Sequence, residues 1–437
     1  MANKSCISLG VAWAARGFLV IGDYRSRIAD AELQACLGSA GAVVIEGPKA
    51  CGKTRMAQQV SASSVLLDVD AAARQALAVD PELVLAGRRP RLLDEWQVEP
   101  SLWNLVRRSV DQAGDPGQFI LTGSSVPADD AARHTGAGRF AFVRLRPMTL
   151  MESGVSQQSV SLGDLFSGAP PRCSDPGLTI ADLAELACRG GWPARLESSL
   201  QASCRAARDY LEQIRQVDVN RVDGRRRDPQ RMASLLRALA RNVATEVAVS
   251  TLAADAGGAQ GPLDPRTISD YLQVLERLMV VEHQLAWKPH LRSKAALRQA
   301  PRRHFCDPSL AVAALGASPD RLLQDLELLG LLFESLVIRD LRVFAQALDG
   351  EVFHYRDNYG VEVDAIVQLR DGRWGAIEIK LGERQVDAAA EGLLRFRNQI
   401  DQRRSGAPAF LAVICGKGYG YLRPDGVAVI PIGALVP

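Results

Sequence analysis

The chain has 437 residues, 47% of them apolar and 23% charged, a length that exceeds one hydrophobic core and predicts two to three domains. A net charge of +2 excludes a globally basic nucleic-acid-binding surface, so any phosphate contact must come from local patches. The eight cysteines contain no CxxC pair, which points away from a zinc site or disulfide framework and toward reduced thiols in a cytoplasmic protein.

Residues 1–22 stand apart. Lys4 and the apolar stretch to Val20 resemble an export signal, but Arg16 interrupts the stretch and no small-residue cleavage site follows. The segment is expected to be a leader or start-site extension. No apolar run reaches the roughly 20 residues of a membrane span.

From residue 23 to 200 an α/β pattern is expected. Ala42–Glu46 reads as a buried strand, followed by a glycine-rich loop and a helix near Thr54–Val60. Further strands are expected at Ser64–Asp68, Arg91–Glu95 and Gln118–Gly123. Strands alternating with helices predict a parallel sheet covered on both faces.

The loop is Gly47, Pro48, Lys49, Ala50, Cys51, Gly52, Lys53 and Thr54, a GxxxxGK[ST] pattern. Its glycines let the backbone wrap phosphate oxygens; Lys53 would reach the β- and γ-phosphates, and Thr54 would give its hydroxyl to Mg²⁺. ATP and Mg²⁺ are therefore the expected ligands. Asp94 ends an apolar strand and would hold Mg²⁺, with Glu95 as base for the attacking water. In Thr122–Ser125, Ser124 is the candidate to sense the γ-phosphate. Arg139, in a glycine-rich loop, is a candidate finger acting on a neighbouring subunit, which would require a homo-oligomer. Cys51 is a small residue whose thiol is open to oxidation or alkylation.

Gly154–Gly177 reads as irregular, and Ala181–Val219 as helical. From 201 to 305 the order is helical stretches at Arg231–Val243, Glu246–Ala254 and Asp264–Leu278, then a strand at Met279–Trp287. That order predicts a winged-helix segment, with Asp264 as N-cap and Pro265 in the first turn of its third helix. Basic clusters flank it: Arg221, Arg225, Arg226, Arg227 and Arg231, then Lys288, Arg292, Lys294, Arg298, Arg302 and Arg303. They suit DNA phosphates or, equally, solvated loops. Arg266 and Ser269 would face a groove.

Residues 306–437 return to α/β, with a long helix near Leu322–Leu348 and strands at Val352–Arg356, Val361–Gln368, Trp374–Lys380 and Ala409–Cys415. Asp364, Glu378 and Lys380 fall on neighbouring strands, and Glu378 and Lys380 share a face. Asp364 and Glu378 would hold Mg²⁺, Lys380 would orient or activate water, and Glu334 would approach from the preceding helix. Such a D-(x)n-ExK set is the arrangement of the restriction-endonuclease-like, or PD-(D/E)XK, fold.

The whole resembles the prokaryotic AAA-type ATPases that carry a C-terminal domain of unknown function with a restriction-endonuclease-like fold. Gly47–Thr54, Leu93–Gln97, Leu121–Ser124, Gly138-Arg139, Arg146–Glu152, Gly190–Pro193, Asp307–Leu310, Phe333-Glu334, Tyr355–Asp357, Glu362–Asp364 and Glu378–Lys380 carry the resemblance. It implies ATP binding by Lys53 and Thr54, Mg²⁺ handling by Asp94 and a winged-helix-like middle segment. Two functions remain open: an ATPase coupled to a domain that binds or cuts nucleic acid, and a nucleotide-switched interaction protein whose nuclease-like domain is inactive.

Overall fold

The computed structural model describes residues 20–21, 24–124, 135–222, 224–258, 261–290, 300–357 and 360–437. The first layer contains α1 (Asp30–Ser39), β1 (Ala42–Glu46), α2 (Lys53–Gln58), β2 (Ser63–Leu66), β3 (Arg91–Asp94), α3 (Leu102–Ala113), β4 (Phe119–Gly123) and β5 (Phe140–Arg144). The strands pair in parallel in the order β2-β3-β4-β1-β5.

Alternation along β1 explains the two covered faces. Val44 points with Leu93 and Leu121 toward Trp103 and Val106 of α3, while Val43 and Ile45 point with Ile120 toward Leu33 of α1 and Met56 of α2. Each such side chain, fully buried, contributes about 1.5–3 kcal/mol. β4 lies between β1 and β3, with Thr122 opposite both Ile45 and Asp94. The ends of three strands therefore meet at one edge. β5, directly after the glycine-rich loop that carries Arg139, was not among the expected strands: as an edge strand it is largely half-buried, so no apolar run announces it.

The middle segment holds α4 (Ile180–Arg189), α5 (Leu200–Gln213), α6 (Pro229–Arg241), α7 (Val249–Gly257) and α8 (Pro265–Arg277). The expected helical run to Val219 is broken at Gly190–Pro193, and α5 continues into a π turn at Ile214–Asp218. α8 starts as its sequence requires: the Asp264 side chain accepts the Arg266 N–H, and Pro265 occupies the first turn. The antiparallel hairpin β6 (Val281–Gln284) and β7 (Arg302–Phe305) follows.

The last unit contains α9 (Pro308–Leu315), α10 (Leu326–Ala347), β8 (Gly350–Arg356), β9 (Glu362–Leu369), β10 (Trp374–Lys380), α11 (Val386–Gln399), β11 (Phe410–Cys415), β12 (Tyr421–Leu422) and β13 (Val427–Pro431). The mixed sheet runs β8-β9-β10-β11-β13-β12. The single long helix expected over 322–348 is two: Asp325 interrupts it, its carboxylate accepting the Leu328 N–H that begins α10.

The β6 hairpin is fused to this sheet. His354 N–H donates to the Leu285 carbonyl at 3.0 Å, and Trp287 N–H to the His354 carbonyl at 2.7 Å. Gln284 Nε2 donates to the carbonyls of Phe353 and Asp364. Trp287 is buried 4.6 Å from Trp374 and packs edge-on against Phe396. Hairpin and C-terminal sheet thus share one core.

Candidate functional site

β1 delivers the chain to Gly47, where a Cβ would lie 2.1 Å from the Leu145 carbonyl oxygen. The loop then passes through Ala50 at φ 61° and Gly52 at φ 105°. Gly52 adopts that left-handed backbone freely, whereas Ala50 must be held there. Arg27 helps to hold the loop. Its Nη1 donates to the Cys51 carbonyl at 2.9 Å, its Nη2 to the Arg146 carbonyl at 2.7 Å, and its Nε to the buried Glu152 carboxylate at 3.0 Å. Cys51 is buried, with Sγ 3.5 Å from the Leu145 carbonyl it donates to. It is a packing residue beneath the loop rather than an accessible thiol.

Lys53 opens α2 and is 5% exposed; its ammonium donates to the Gly47 and Pro48 carbonyls, both at 2.9 Å. A buried ammonium resting on loop carbonyls is suited to accept an anion in that loop. Thr54 Oγ1 donates to Asp94 Oδ1 at 2.8 Å, and Thr122 Oγ1 donates to the same oxygen. Glu95 follows at φ 54°, a left-handed turn that swings its carboxylate from the strand end. Ser124 Oγ donates to Glu95 Oε2 at 3.2 Å, and Gln97 Nε2 donates to that oxygen as well. Lys53, Thr54, Asp94, Glu95 and Ser124 are therefore brought together, and a nucleotide with Mg²⁺ fits this donor set.

Sequence reasoning picked Ser124 from Thr122–Ser125, and the structure adds Thr122 of the same stretch. It gave no role to Gln97, Arg27 or Glu152, although Gln97 and Glu152 lie within motifs that carry the resemblance; Arg27 gave no local signal. Lys49 turns away from the loop, and its Nζ pairs at 2.5 Å with the buried Asp218 of the π turn. Arg139 pairs with Asp111 Oδ1 at 2.8 Å and donates to the Ala137 carbonyl, so within one chain it rests on the end of α3.

The C-terminal constellation also assembles. Ala365 opposite Ile377 sets Asp364 beside Glu378. Lys380 Nζ lies 3.0 Å from Asp364 Oδ2 and 2.6 Å from Glu378 Oε2. Glu334 comes from α10, as expected. Beside Glu378 and Lys380 opens a cleft of about 320 Å³, lined also by Glu362, Gln385 and Arg395.

The cluster contains a residue placed elsewhere by sequence reasoning, Arg302. Its Nη1 donates to Glu334 Oε1 at 2.8 Å and lies 3.4 Å from Asp364 Oδ1, and its Nη2 donates to Glu362. Burial alone would lower its pKa, but the carboxylates of Glu334, Asp364 and Glu362 outweigh burial and raise it. Burial and then Asp364 push Glu378 up to about 8. The same two causes raise Glu334 well above the carboxylate range. Burial would raise Asp364 too, but Lys380 and Arg302 bring it below its ordinary value. Asp364 Oδ2 also accepts the Ile379 N–H at 2.9 Å. The Mg²⁺ expected on Asp364 and Glu378 does not fit these residues as arranged, because Arg302 and Lys380 already hold their oxygens. Among the described residues, no three His, Cys, Asp or Glu side chains converge as a metal site requires.

The basic patches divide. Arg225, Arg226 and Lys288 are exposed, whereas Arg292, Lys294 and Arg298 lie outside the described residues. Arg227 is a correction: it is buried, with Nε and Nη2 on the Asp270 carboxylate and Nη1 on the Val219 carbonyl, so it is a strut rather than a phosphate contact. Arg302 and Arg303 are corrected likewise, both being buried in β7. Arg303 Nη1 donates to the Val247 carbonyl.

The two sites are joined through Arg146–Glu152. Glu152 holds Arg27 and, through it, the loop. Arg146 is bidentate to Glu282 of β6, which Arg144 and Arg342 also approach. Burial would raise the Glu282 pKa, but these arginines hold it well below the carboxylate range. Leu150 N–H donates to Asp340 of α10 at 2.9 Å. Gly191 N–H and Arg339 Nη1 both donate to Asp307 Oδ2, at 2.9 Å each.

The parallel sheet, the loop after β1 and the acidic end of β3 resemble those of a P-loop NTPase domain. Residues 39–153 match the family model described as AAA domain. Residues 180–321 and 329–435 match two domains of unknown function, DUF8612 and DUF4143. Uncharacterized proteins of Mycobacterium tuberculosis and Mycobacterium bovis are each 26% identical over 359 residues, covering 81% of this chain and 73% of theirs. A solved structure, the Walker-type ATPase PABY2304 of Pyrococcus abyssi, aligns over 65% of this chain and 94% of its own at 13% identity and a TM-score of 0.40.

Proposed function

We propose that the protein is an ATP-hydrolysing AAA-type ATPase whose nucleotide state is transmitted to a nuclease-like C-terminal domain that engages nucleic acid. The observation that carries the ATPase reading is the meeting of Thr54 and Thr122 on one oxygen of Asp94 beside the buried Lys53. Bound ATP and Mg²⁺ would supply the scissile phosphoanhydride and its charge neutralisation. Lys53 would exchange its loop carbonyls for phosphate oxygens, and Thr54 and Asp94 would hold the metal side. Glu95 would take the proton of the attacking water, with Ser124 and Gln97 fixing its carboxylate.

In this reading residues 23–200 turn over ATP, 201–305 form a winged-helix-like segment, and 306–437 form the domain being controlled. Arg225, Arg226 and Lys288, with Arg221 and Arg231 of the same cluster, are exposed and would meet DNA, and Arg266 is exposed on α8. Arg139 acting in trans needs an oligomer in which its bond to Asp111 is exchanged for a neighbour's nucleotide.

A second reading is favoured by Arg302: a nucleotide-switched interaction protein whose nuclease-like domain does not cut. One experiment addresses both. ATP turnover is measured for the wild type and Lys53→Ala, together with cleavage and binding of single- and double-stranded DNA and RNA at several salt concentrations. Turnover lost in Lys53→Ala is expected, and turnover unchanged in that variant removes the ATPase reading. Cleavage lost in Lys380→Ala selects the first reading in its cutting form. Binding that falls steeply with salt selects nucleic-acid engagement, and no binding selects the second reading.

A further inference from the structure

We infer that Arg302 is the resident cation of the C-terminal carboxylate cluster, standing between Glu334 and Asp364 on the Oδ1 side of Asp364, so that in the folded domain Asp364 does not take up the divalent metal expected on it with Glu378. The inference deepens the second reading above and rests on the nuclease-like arrangement assigned to Asp364, Glu378 and Lys380.

Space makes the first argument. A small divalent ion such as Mg²⁺ needs oxygen donors about 2.0–2.1 Å away. Arg302 Nη1 is 2.8 Å from Glu334 Oε1 and 3.4 Å from Asp364 Oδ1, so a guanidinium nitrogen fills the gap between those carboxylates. One further oxygen of Asp364 and one of Glu378 are also engaged. Asp364 Oδ2 accepts Lys380 Nζ at 3.0 Å and the Ile379 N–H at 2.9 Å, while Glu378 Oε2 meets Lys380 Nζ at 2.6 Å.

Arg302 is also anchored. In β7 it stands opposite Gln284 of β6, and it bridges to Glu246 on its other side. Gln284 in turn donates to the Asp364 carbonyl, so the hairpin partner of the strand carrying the guanidinium is tied to the strand carrying the carboxylate. Arg302 is 2% exposed. Withdrawing it would break the hairpin's packing against β9, which distinguishes it from a surface arginine swinging over a site.

The test is Mn²⁺ binding, followed by electron paramagnetic resonance and thermal melting of the full chain without nucleotide. Four proteins are compared: wild type, Arg302→Met, Asp364→Asn and the Arg302→Met/Asp364→Asn double variant. Wild type is expected to have no Mn²⁺ site that Asp364→Asn removes. Arg302→Met leaves Glu334, Asp364 and Glu362 without their shared cation. It is expected to gain one Mn²⁺ site, with a melting temperature raised several degrees by Mn²⁺ and restored by EDTA, and to lose both in the double variant. Should Arg302→Met not fold, Arg302→Met/Glu362→Gln removes one positive and one negative charge together, and the same gain is expected of it. An Asp364-dependent Mn²⁺ site in wild type overturns the inference. So does a folded Arg302 variant that gains none. Neither outcome depends on ATP turnover, so failure here is separable from failure of the ATPase reading.

Discussion

Glu95 and Asp94 are adjacent, yet they stand in different environments. Asp94 is buried and held by two threonine hydroxyls, whereas Glu95 leaves the strand through a left-handed turn. Glu95→Gln is expected to keep ATP binding and lower turnover by about 10²–10⁴-fold, the usual contribution of a general base. Nucleotide affinity measured beside turnover checks this, and equal loss of both would place Glu95 in binding instead. Asp94→Ala is expected to weaken Mg²⁺-dependent turnover; unchanged turnover would remove Asp94 from the site. His354 offers a pH test. Burial, with Arg302's charge adding, lowers it from 6.5 to about 3. Below pH 6.5 the unfolded chain binds a proton that the folded chain refuses, so stability falls as pH drops from about 6.5 toward 3, by at most about 1.4 kcal/mol per pH unit. Urea midpoints across that window should flatten in His354→Gln. At this scale the loop, Asp94, Glu95 and the Asp364–Glu378–Lys380 set were legible because each is a local pattern on a strand or at its end, and Glu334 because it falls on the helix before the hairpin. Arg302 was not. Its sequence neighbours are basic, and burial among carboxylates 32 and 62 residues away leaves no trace in a local window.

Among the elements, β1, β3 and β4 were readable as apolar runs because both their faces are covered, while β5 at the edge was hidden by its half-exposed alternation. The break after α4 was hidden for another reason. Gly190–Pro193 is not a surface loop but a docking piece, with the Gly191 N–H on Asp307 and the Trp192 indole on Ser309. α8 carries the nucleic-acid expectation, with Arg266 exposed in its first turn. If α8 faces DNA, Arg266→Ala should weaken binding and reduce the slope of log affinity against log salt by about one if it removes a single phosphate contact. Titrations at three salt concentrations read this directly, and an unchanged slope moves the contact away from α8.

For the molecule as a whole, the ATPase layer and the C-terminal domain meet through charge. Glu282 is buried among Arg144 and Arg146, at and just beyond the end of β5, and Arg342 of α10. Glu282→Gln leaves these arginines without their carboxylate and is expected to cost roughly 3–5 kcal/mol. Chemical denaturation checks the cost. If the cluster also transmits nucleotide state, ATP should cease to alter nucleic-acid affinity in this variant while turnover persists. Retained coupling would assign transmission to the Leu150–Asp340 and Gly191–Asp307 contacts instead.

Trp287 and Trp374 stand 4.6 Å apart with their rings tilted by 45°, one on the chain leaving the hairpin and one on the sheet that receives it. Two indoles at that spacing behave optically as a coupled pair. Their far-ultraviolet circular dichroism should carry an exciton couplet that neither indole alone produces, and it should vanish when the hairpin lifts from the sheet. The pair is thus an unlabelled optical gauge at the joint: a stopped-flow trace after ATP addition that loses the couplet would time an opening, and an unchanged couplet would show that nucleotide leaves the joint closed.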